Sequence, residues 1–300
     1  MNRSKRITNL MMCIVPLVVI GQAVSTTTVV AQVSKPSAVD QTQHDAIVLY
    51  NQGVAYIEVG RYREAVEALK QSIRLKPNNA PAYNSLGAAY NILGKYTEAV
   101  EAFKQAISFE PNHPQAHYNL GQAYYYLGRY NQAVEASRQA IHLKPDNARA
   151  YNNLGVAYNA QGKHGEAVEA LKQAIRLEPG FFEAFYNLGT AYYELGRHSE
   201  AVVALTEVIR LRPGLAEARN GLGVVFLKMG RRKEAVEALR QAVLLDPDYA
   251  VARFNLGASY VALGNKSAAL EQHRLLQSLN PGLADSLYSG IYRDKVLSVK

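Results

Sequence analysis

Two glycine series run through this chain with a step of 34 residues, Gly53 to Gly257 and Gly60 to Gly264. Ala65 to Ala269 and Pro77 to Pro281 keep the same step without exception. Seven units of 34 that begin at Ala46 fill residues 46–283 with no insertion. A repeat of this length is one supersecondary element whose apolar face is covered only by stacking on its neighbours. The chain is therefore read as one stacked array, and most of its 21 Gly and 11 Pro belong to the repeat.

Within a repeat the apolar residues are spaced as on helices. In the second repeat Ala82, Leu86, Ala89, Tyr90 and Leu93 form one face, and Ala99, Phe103, Ala106 and Ile107 form another. Gly94 lies between them, where a left-handed residue closes the first helix. Pro111 stops the second helix because it has no N–H to give the ladder. Asn112, Asp146 and Asp248, each directly after its proline, are expected to cap the next helix. Gly87 and Ala99 are small where the two helices cross. No strand pattern occurs between 46 and 283, so the expected class is all-α.

These residues resemble the tetratricopeptide repeat family. Its order of a large residue, Leu-Gly, Tyr, Gly, Ala, an aromatic or Leu, Ala and Pro is read here as Tyr83, Leu86, Gly87, Tyr90, Gly94, Ala99, Phe103, Ala106 and Pro111. The resemblance covers repeats at 46–79, 80–113, 114–147, 148–181, 182–215, 216–249 and 250–283. It weakens at the ends, where Gln52 replaces Leu and His273 replaces Leu, Phe or Ser, as terminal repeats facing solvent should. Leu283, Leu287, Tyr288 and Ile291 suggest a capping helix in a tail of 284–300, weakened by Gly290. The resemblance implies a right-handed superhelical solenoid of helix-turn-helix repeats, with the first helix of each pair lining a concave groove.

Tyrosine is over-represented, with 20 Tyr against 7 Phe and no Trp. Eleven of the 20 occupy slots that build the repeat. Tyr50, Tyr118, Tyr125, Tyr126, Tyr186, Tyr193 and Tyr249 fall in slots that the resemblance places on the groove, with Phe181 and Phe254 in similar slots. Tyrosine offers a large rigid contact surface with a polar tip, which suits partner binding; lateral packing between helices is the competing role. A ladder of amides runs alongside, Asn51, Asn119, Asn153, Asn187 and Asn255, with Asn84, Asn91, Asn152 and Asn159 in neighbouring slots. An amide both donates and accepts, so a spaced row can hold an extended backbone, as the similar repeat arm of O-GlcNAc transferase implies; packing between repeats is again the alternative. The candidate peptide-binding site is the middle of the array: Tyr118, Asn119, Gln122, Tyr125, Tyr126, Asn152, Asn153, Asn159, Tyr186, Asn187, Thr190 and Tyr193. The Lys with which chaperone-binding members hold a terminal carboxylate is replaced here by Tyr, Asn or Phe, so no such clamp is expected.

Catalytic patterns are absent from the sequence: no phosphate-binding loop, no His-Glu-x-x-His and no Gly-x-Ser-x-Gly. The segments outside the signal and repeats, 32–45 and 284–300, are too short to bury an active site. No enzyme activity, cofactor or metal is expected; His113 and His117 are four apart, but Pro114 intervenes and no acid sits nearby. The expected role is a non-catalytic scaffold for a protein or peptide partner. The alternative is an accessory subunit of an envelope enzyme such as a glycosyltransferase. A formal charge of +8 invites a nucleic-acid reading, yet Arg74, Lys76, Arg176, Arg210 and Arg212 lie on or beside second helices. That placement favours weak association with membrane or envelope surfaces, and no nucleic acid is expected. The chain is expected to be a monomer or a weak homo-oligomer that associates through Leu283 and Leu287.

The N-terminus reads as an address. Arg3, Lys5 and Arg6 precede an apolar stretch from Leu10 to Ile20, and small residues follow at Gly21 to Ala23 and Val29 to Ala31. A signal peptide of residues 1–31 is expected, cut after Ala31 or Ala23, or left uncleaved as an anchor. Removing it deletes the only Cys and lowers the formal charge from +8 to +5. The product is expected in the periplasm or cell envelope, with residues 32–45 as a polar linker.

Overall fold

The computed structural model describes residues 38–292. The expected signal peptide, residues 32–37 of the expected linker and residues 293–300 lie outside the described residues. The described chain is α-helical with no strand, and it divides into two compact units, one up to Asn119 and one from Leu120.

In the first unit α1 (Ala38–Glu58) and α2 (Tyr62–Leu75) form one hairpin. A second is formed by α3 (Ala80–Ile92) and α4 (Tyr96–Phe109), with α2 packed on α3. Helix α1 begins eight residues ahead of Ala46, so residues 38–45, expected as linker, are helical. Nothing after Pro36 breaks a helix there. Asp40 sits in the first turn, where a negative charge favours the helix dipole, and Gln41 donates to Asp45 Oδ1 at 2.9 Å, one turn on.

Each hairpin closes in the same way. Gly94 has φ 73°; its N–H donates to Asn91 O at 3.1 Å, and the Lys95 N–H donates to Tyr90 O at 2.9 Å. This pair of bonds satisfies the last carbonyls of α3. Any L-residue at that φ costs about 1–2 kcal/mol, so glycine recurs at the position. The helices then cross at Gly87, where a Cβ would lie 2.6 Å from the Phe103 ring.

Helix starts differ from expectation by one residue. Asn79 Oδ1 accepts from the Ala82 N–H at 3.4 Å, and Asn147 Oδ1 accepts from the Ala150 N–H at 3.2 Å. The proline and the residue after it make the turn, so the cap falls one place beyond Asn112, Asp146 and Asp248. At α5 (Pro114–Tyr126), which runs across the unit boundary, His113 Nδ1 takes this role, accepting from the Ala116 N–H at 3.3 Å.

The second unit continues with α6 (Tyr130–Leu143), α7 (Ala148–Ala160), α8 (His164–Leu177), α9 (Phe182–Glu194) and α10 (His198–Leu211). It ends with α11 (Ala216–Lys228), α12 (Arg232–Leu245), α13 (Ala250–Ala262), α14 (Lys266–Leu279) and α15 (Pro281–Tyr292). The crossings repeat: Gly155 faces Leu171 and Gly223 faces Leu239, with Cβ-to-Cγ separations of 2.5 Å if a side chain were added. The last hairpin has His273 where the facing Leu belongs, and Leu287 of α15 reaches Gly257 in its place. Helix α15 thus begins at Pro281, continues through Gly290, and buries Leu283, Ala284 and Leu287 against Phe254 and Leu276. Leu283 and Leu287 are covered within the chain, so self-association through them is corrected to an intramolecular cap.

Candidate functional site

The first helix of each repeat is α1, α3, α5, α7, α9, α11 and α13, and two adjacent slots on it carry the expected ladder. The earlier slot alternates: Tyr50, Asn84, Tyr118, Asn152, Tyr186, Asn220, Phe254. The later slot reads Asn51, Ser85, Asn119, Asn153, Asn187, Gly221, Asn255. The alternation appears only when repeats two apart, 68 residues, are compared.

The amides use each other. In the first unit Asn119 Nδ2 donates to Asn84 Oδ1 at 3.1 Å, while Asn119 Oδ1 accepts from Gln115 Nε2 at 3.0 Å. In the second, Asn187 Nδ2 donates to Asn152 Oδ1 and Asn255 Nδ2 to Asn220 Oδ1, both at 2.9 Å. Each bond spans 35 residues and ties one first helix to the previous one. Asn119 and Asn152 are 2% and 6% exposed, and burying an amide requires such a partner. Asn159 Nδ2 donates to Asn187 O at 3.2 Å, and its Oδ1 lies 3.2 Å from His164 Nδ1. Asn153 breaks the rule: its Nδ2 is buried with no hydrogen-bond partner among the described residues. The residue 35 places earlier is Tyr118, which has no amide oxygen.

The tyrosines divide. Tyr118 is only 4% exposed and offers no open surface. Tyr125 is half-buried, edge-on to Tyr126 at 5.6 Å and tilted against Tyr130 at 5.7 Å. Burial pushes the Tyr125 phenol above its ordinary pKa, with Tyr130 adding to the effect. Tyr193, also half-buried, leans on His198 at 5.7 Å. Tyr186 is raised by burial and then by the Glu217 carboxylate. Tyr249 is raised by burial first and then by Tyr186 and Glu217, while Asn220 Nδ2 donates to its Oη at 3.5 Å. Gln122 is half-buried, and Thr190 is exposed with its hydroxyl donating to Tyr186 O at 3.2 Å. Tyr125, Tyr186, Tyr193 and Thr190 therefore keep accessible surface in the second unit. Glu217 escapes sequence reasoning because its slot changes occupant from repeat to repeat, and Asn220 because it lies outside the middle of the array.

Other polar residues have structural employment. His117 Nε2 lies 2.9 Å from Pro111 O, and Arg253 Nε donates to Pro247 O at 2.8 Å from the corresponding slot. His113 and His117 thus hold backbone, and among the described residues no three metal-ligating side chains converge. The ion pairs join residues three apart, such as Arg61 with Glu64 and Arg210 with Glu207, exposed on second helices or the turns before them. The side-chain hydrogen bond from Arg210 holds the Glu207 carboxyl below its usual range. Framework rings carry the chain's own cations, with Arg197 4.6 Å above Tyr192 and Arg231 4.5 Å above Phe226.

Helical hairpins of constant length, a φ-positive glycine at each turn and glycine–leucine crossings define a helical-repeat solenoid of the protein-interaction kind. Residues 108–281, more than half of the chain, match the family model described as the cilia and flagella-associated protein 70 C-terminal domain. Residues 50–117 match a tetratricopeptide repeat model. The chain belongs to the tetratricopeptide-repeat family. Similar solved structures include MamA of Desulfovibrio magneticus RS-1, 27% identical with a TM-score of 0.53, over 56% of this chain and 96% of that one. YrrB, described as a TPR protein with an unusual peptide-binding site, is 25% identical with a TM-score of 0.51, over 63% and 99% of the two chains. A structure of PilF from Pseudomonas aeruginosa shares the fold at 21% identity, with a TM-score of 0.62 over 73% and 100%. No curated protein is significantly similar in sequence.

Proposed function

We propose that this chain is an exported, non-catalytic scaffold that holds an extended segment of a partner protein in its groove, as an assembly or adaptor factor of the cell envelope. The observation that carries the reading is the half-buried tyrosines of the second unit, Tyr125, Tyr186 and Tyr193, on the first helices of their repeats. Rigid amphipathic rings of this kind dominate the energetics of binding surfaces. The paired amides Asn119, Asn152 and Asn187 add rigidity to the inner face, so the tyrosines contribute more of the contact. The likeness to YrrB supports a peptide ligand, and the run from Arg3 to Ala31 supports export.

Changing Tyr125, Tyr186 and Tyr193 together to Ala should lower crosslinked capture of partners from envelope extract by tenfold or more, since each buried anchor contributes about 2 kcal/mol. Circular dichroism should show the helical content of the parent. Undiminished capture by a folded triple variant would remove the groove assignment. Export is checked on the envelope fraction, where the N-terminal peptide should begin at Gln32 or Val24. An N-terminus that begins before Val24 on cytosolic protein would overturn it.

A further inference from the structure

One side of each first helix is covered wherever a repeat precedes it. The slot from Ala82 to Ala252 is Ala in all six later repeats and 0% exposed in each. The slot from Leu86 to Leu256 is Leu in all six, and the slot from Ala89 to Ser259 is buried throughout. The cover is the second helix of the repeat before, as where α2 packs on α3 and α8 on α9. On α1 the same slots hold Val48, Gln52 and Ala55, and all three are exposed, Val48 at 49%. Val59, directly after α1, continues this stripe: its N–H donates to Ala55 O at 3.2 Å, and it is 69% exposed.

The stripe matches a second copy of itself. A terminal face built for water is polar, yet the alanine of the other repeats is enlarged here to Val48, and Ile47 beside it is exposed too. Val48, Gln52, Ala55 and Val59 are spaced 4, 3 and 4, the seam spacing of paired helices. That spacing reads the same from either end, with valine at both. An antiparallel copy therefore sets Val48 against Val59 and Gln52 against Ala55, twice over. The charges agree with this direction. Asp45, one step before Val48 on the stripe, is brought to the turn after α1 of the other copy. There Arg61 is held by Glu64, while Arg63 is exposed and has no ion pair among the described residues. A parallel pair would set Asp45 against Asp45. Gln41 and Asp45 end the apolar stripe, so the contact is short, which suits a weak dimer. In the second unit α15 covers α14, so the last repeat presents no bare second helix for a head-to-tail contact.

We propose that this face of α1 is a homodimer contact, in which two copies of the chain join antiparallel through Val48, Gln52, Ala55 and Val59. A patch that meets itself about a two-fold axis closes at two copies. On the groove reading, the dimer carries two grooves and gains avidity for a partner that repeats its segment.

Sedimentation of the purified full chain over a range of concentrations should show a monomer–dimer equilibrium, with circular dichroism to check that each variant keeps the helical content of the parent. Val48→Glu combined with Val59→Glu should raise the midpoint concentration about tenfold or more, because carboxylates replace both end contacts of the stripe. Gln52→Leu, which installs the residue of every other repeat at this slot, should lower the midpoint severalfold. Asp45→Arg should weaken the dimer, and Arg63→Asp added to it should restore it. A chain that stays monomeric at the highest concentration would overturn the dimer and leave the face to residues 1–37 or to a foreign partner. A dimer that survives Val48→Glu with Val59→Glu would place the contact elsewhere and overturn it as well. Failure of the charge exchange would overturn the antiparallel pairing. The Tyr125, Tyr186 and Tyr193 triple variant should dimerise as the parent does, so the dimer and the groove stand or fall separately.

Discussion

Phe103→Ala should destabilise the α3–α4 hairpin by about 3–5 kcal/mol, the usual result of emptying a fully buried aromatic site. Phe103 is 0% exposed, and its ring is the surface that the missing side chain of Gly87 makes room for. Phe103→Leu should cost less than about 1.5 kcal/mol, since exchanges of similar volume are tolerated. Leucine already occupies the same slot at Leu69, Leu171, Leu205 and Leu239. Gly87→Ala on its own drives a Cβ to 2.6 Å from the ring. Overpacking of that kind costs about 1–3 kcal/mol, offset by about 1 kcal/mol of gained helix propensity. With Phe103→Ala the added methyl instead fills part of the hole, so the double variant should be more stable than the sum by about 1 kcal/mol or more. Urea denaturation followed by circular dichroism reads all four proteins. Strict additivity would mean that the two positions do not interlock.

The fold is legible in the sequence because the periodic residues do backbone and crossing work that tolerates little else. A glycine at φ 73° and a glycine under a leucine leave the same mark in every repeat, so Gly94 and Gly87 can be read without coordinates. The caps fall one residue beyond expectation because the two-residue turn that begins at the proline is invisible to composition. Helix α1 is longer than expected because residues 38–45 precede the period and carry no repeat mark. The site is less legible. A row of asparagines 34 apart looks like a binding ladder, yet whether an amide faces a partner depends on the residue 35 places earlier. Where that residue is Asn84, Asn152 or Asn220 the amide is consumed, and where it is Tyr118 it is not. The tyrosines separate in the same way: Tyr118 and Tyr186 share a slot, but Tyr118 is buried and Tyr186 is half-buried. Slot identity fixes which face a side chain points to, and its neighbours one repeat away fix whether that face is open.

The second large effect is expected at the C-terminus. Deleting residues 282–300 removes α15 and uncovers Phe254 and Leu276, which are 2% and 0% exposed in the intact chain. Loss of that packing should destabilise the last hairpin by about 2–5 kcal/mol. An uncapped apolar end should also make the shortened chain associate, visible as concentration-dependent mass in sedimentation. The residue that decides the mechanism is His273. In the intact chain it tilts against Tyr288 at 5.3 Å, and Leu287 occupies the place over Gly257. His273→Leu in the shortened chain supplies the missing knob from α14, as Leu239 does for Gly223, and should recover about 1–2 kcal/mol, the value of burying one leucine. In the intact chain the same substitution makes the introduced side chain compete with Leu287 for one hole and should be destabilising. Opposite signs in the two backgrounds, measured by thermal and urea melts, are the expected result. Equal signs would mean that α15 covers the end without replacing a lost residue of the seventh repeat.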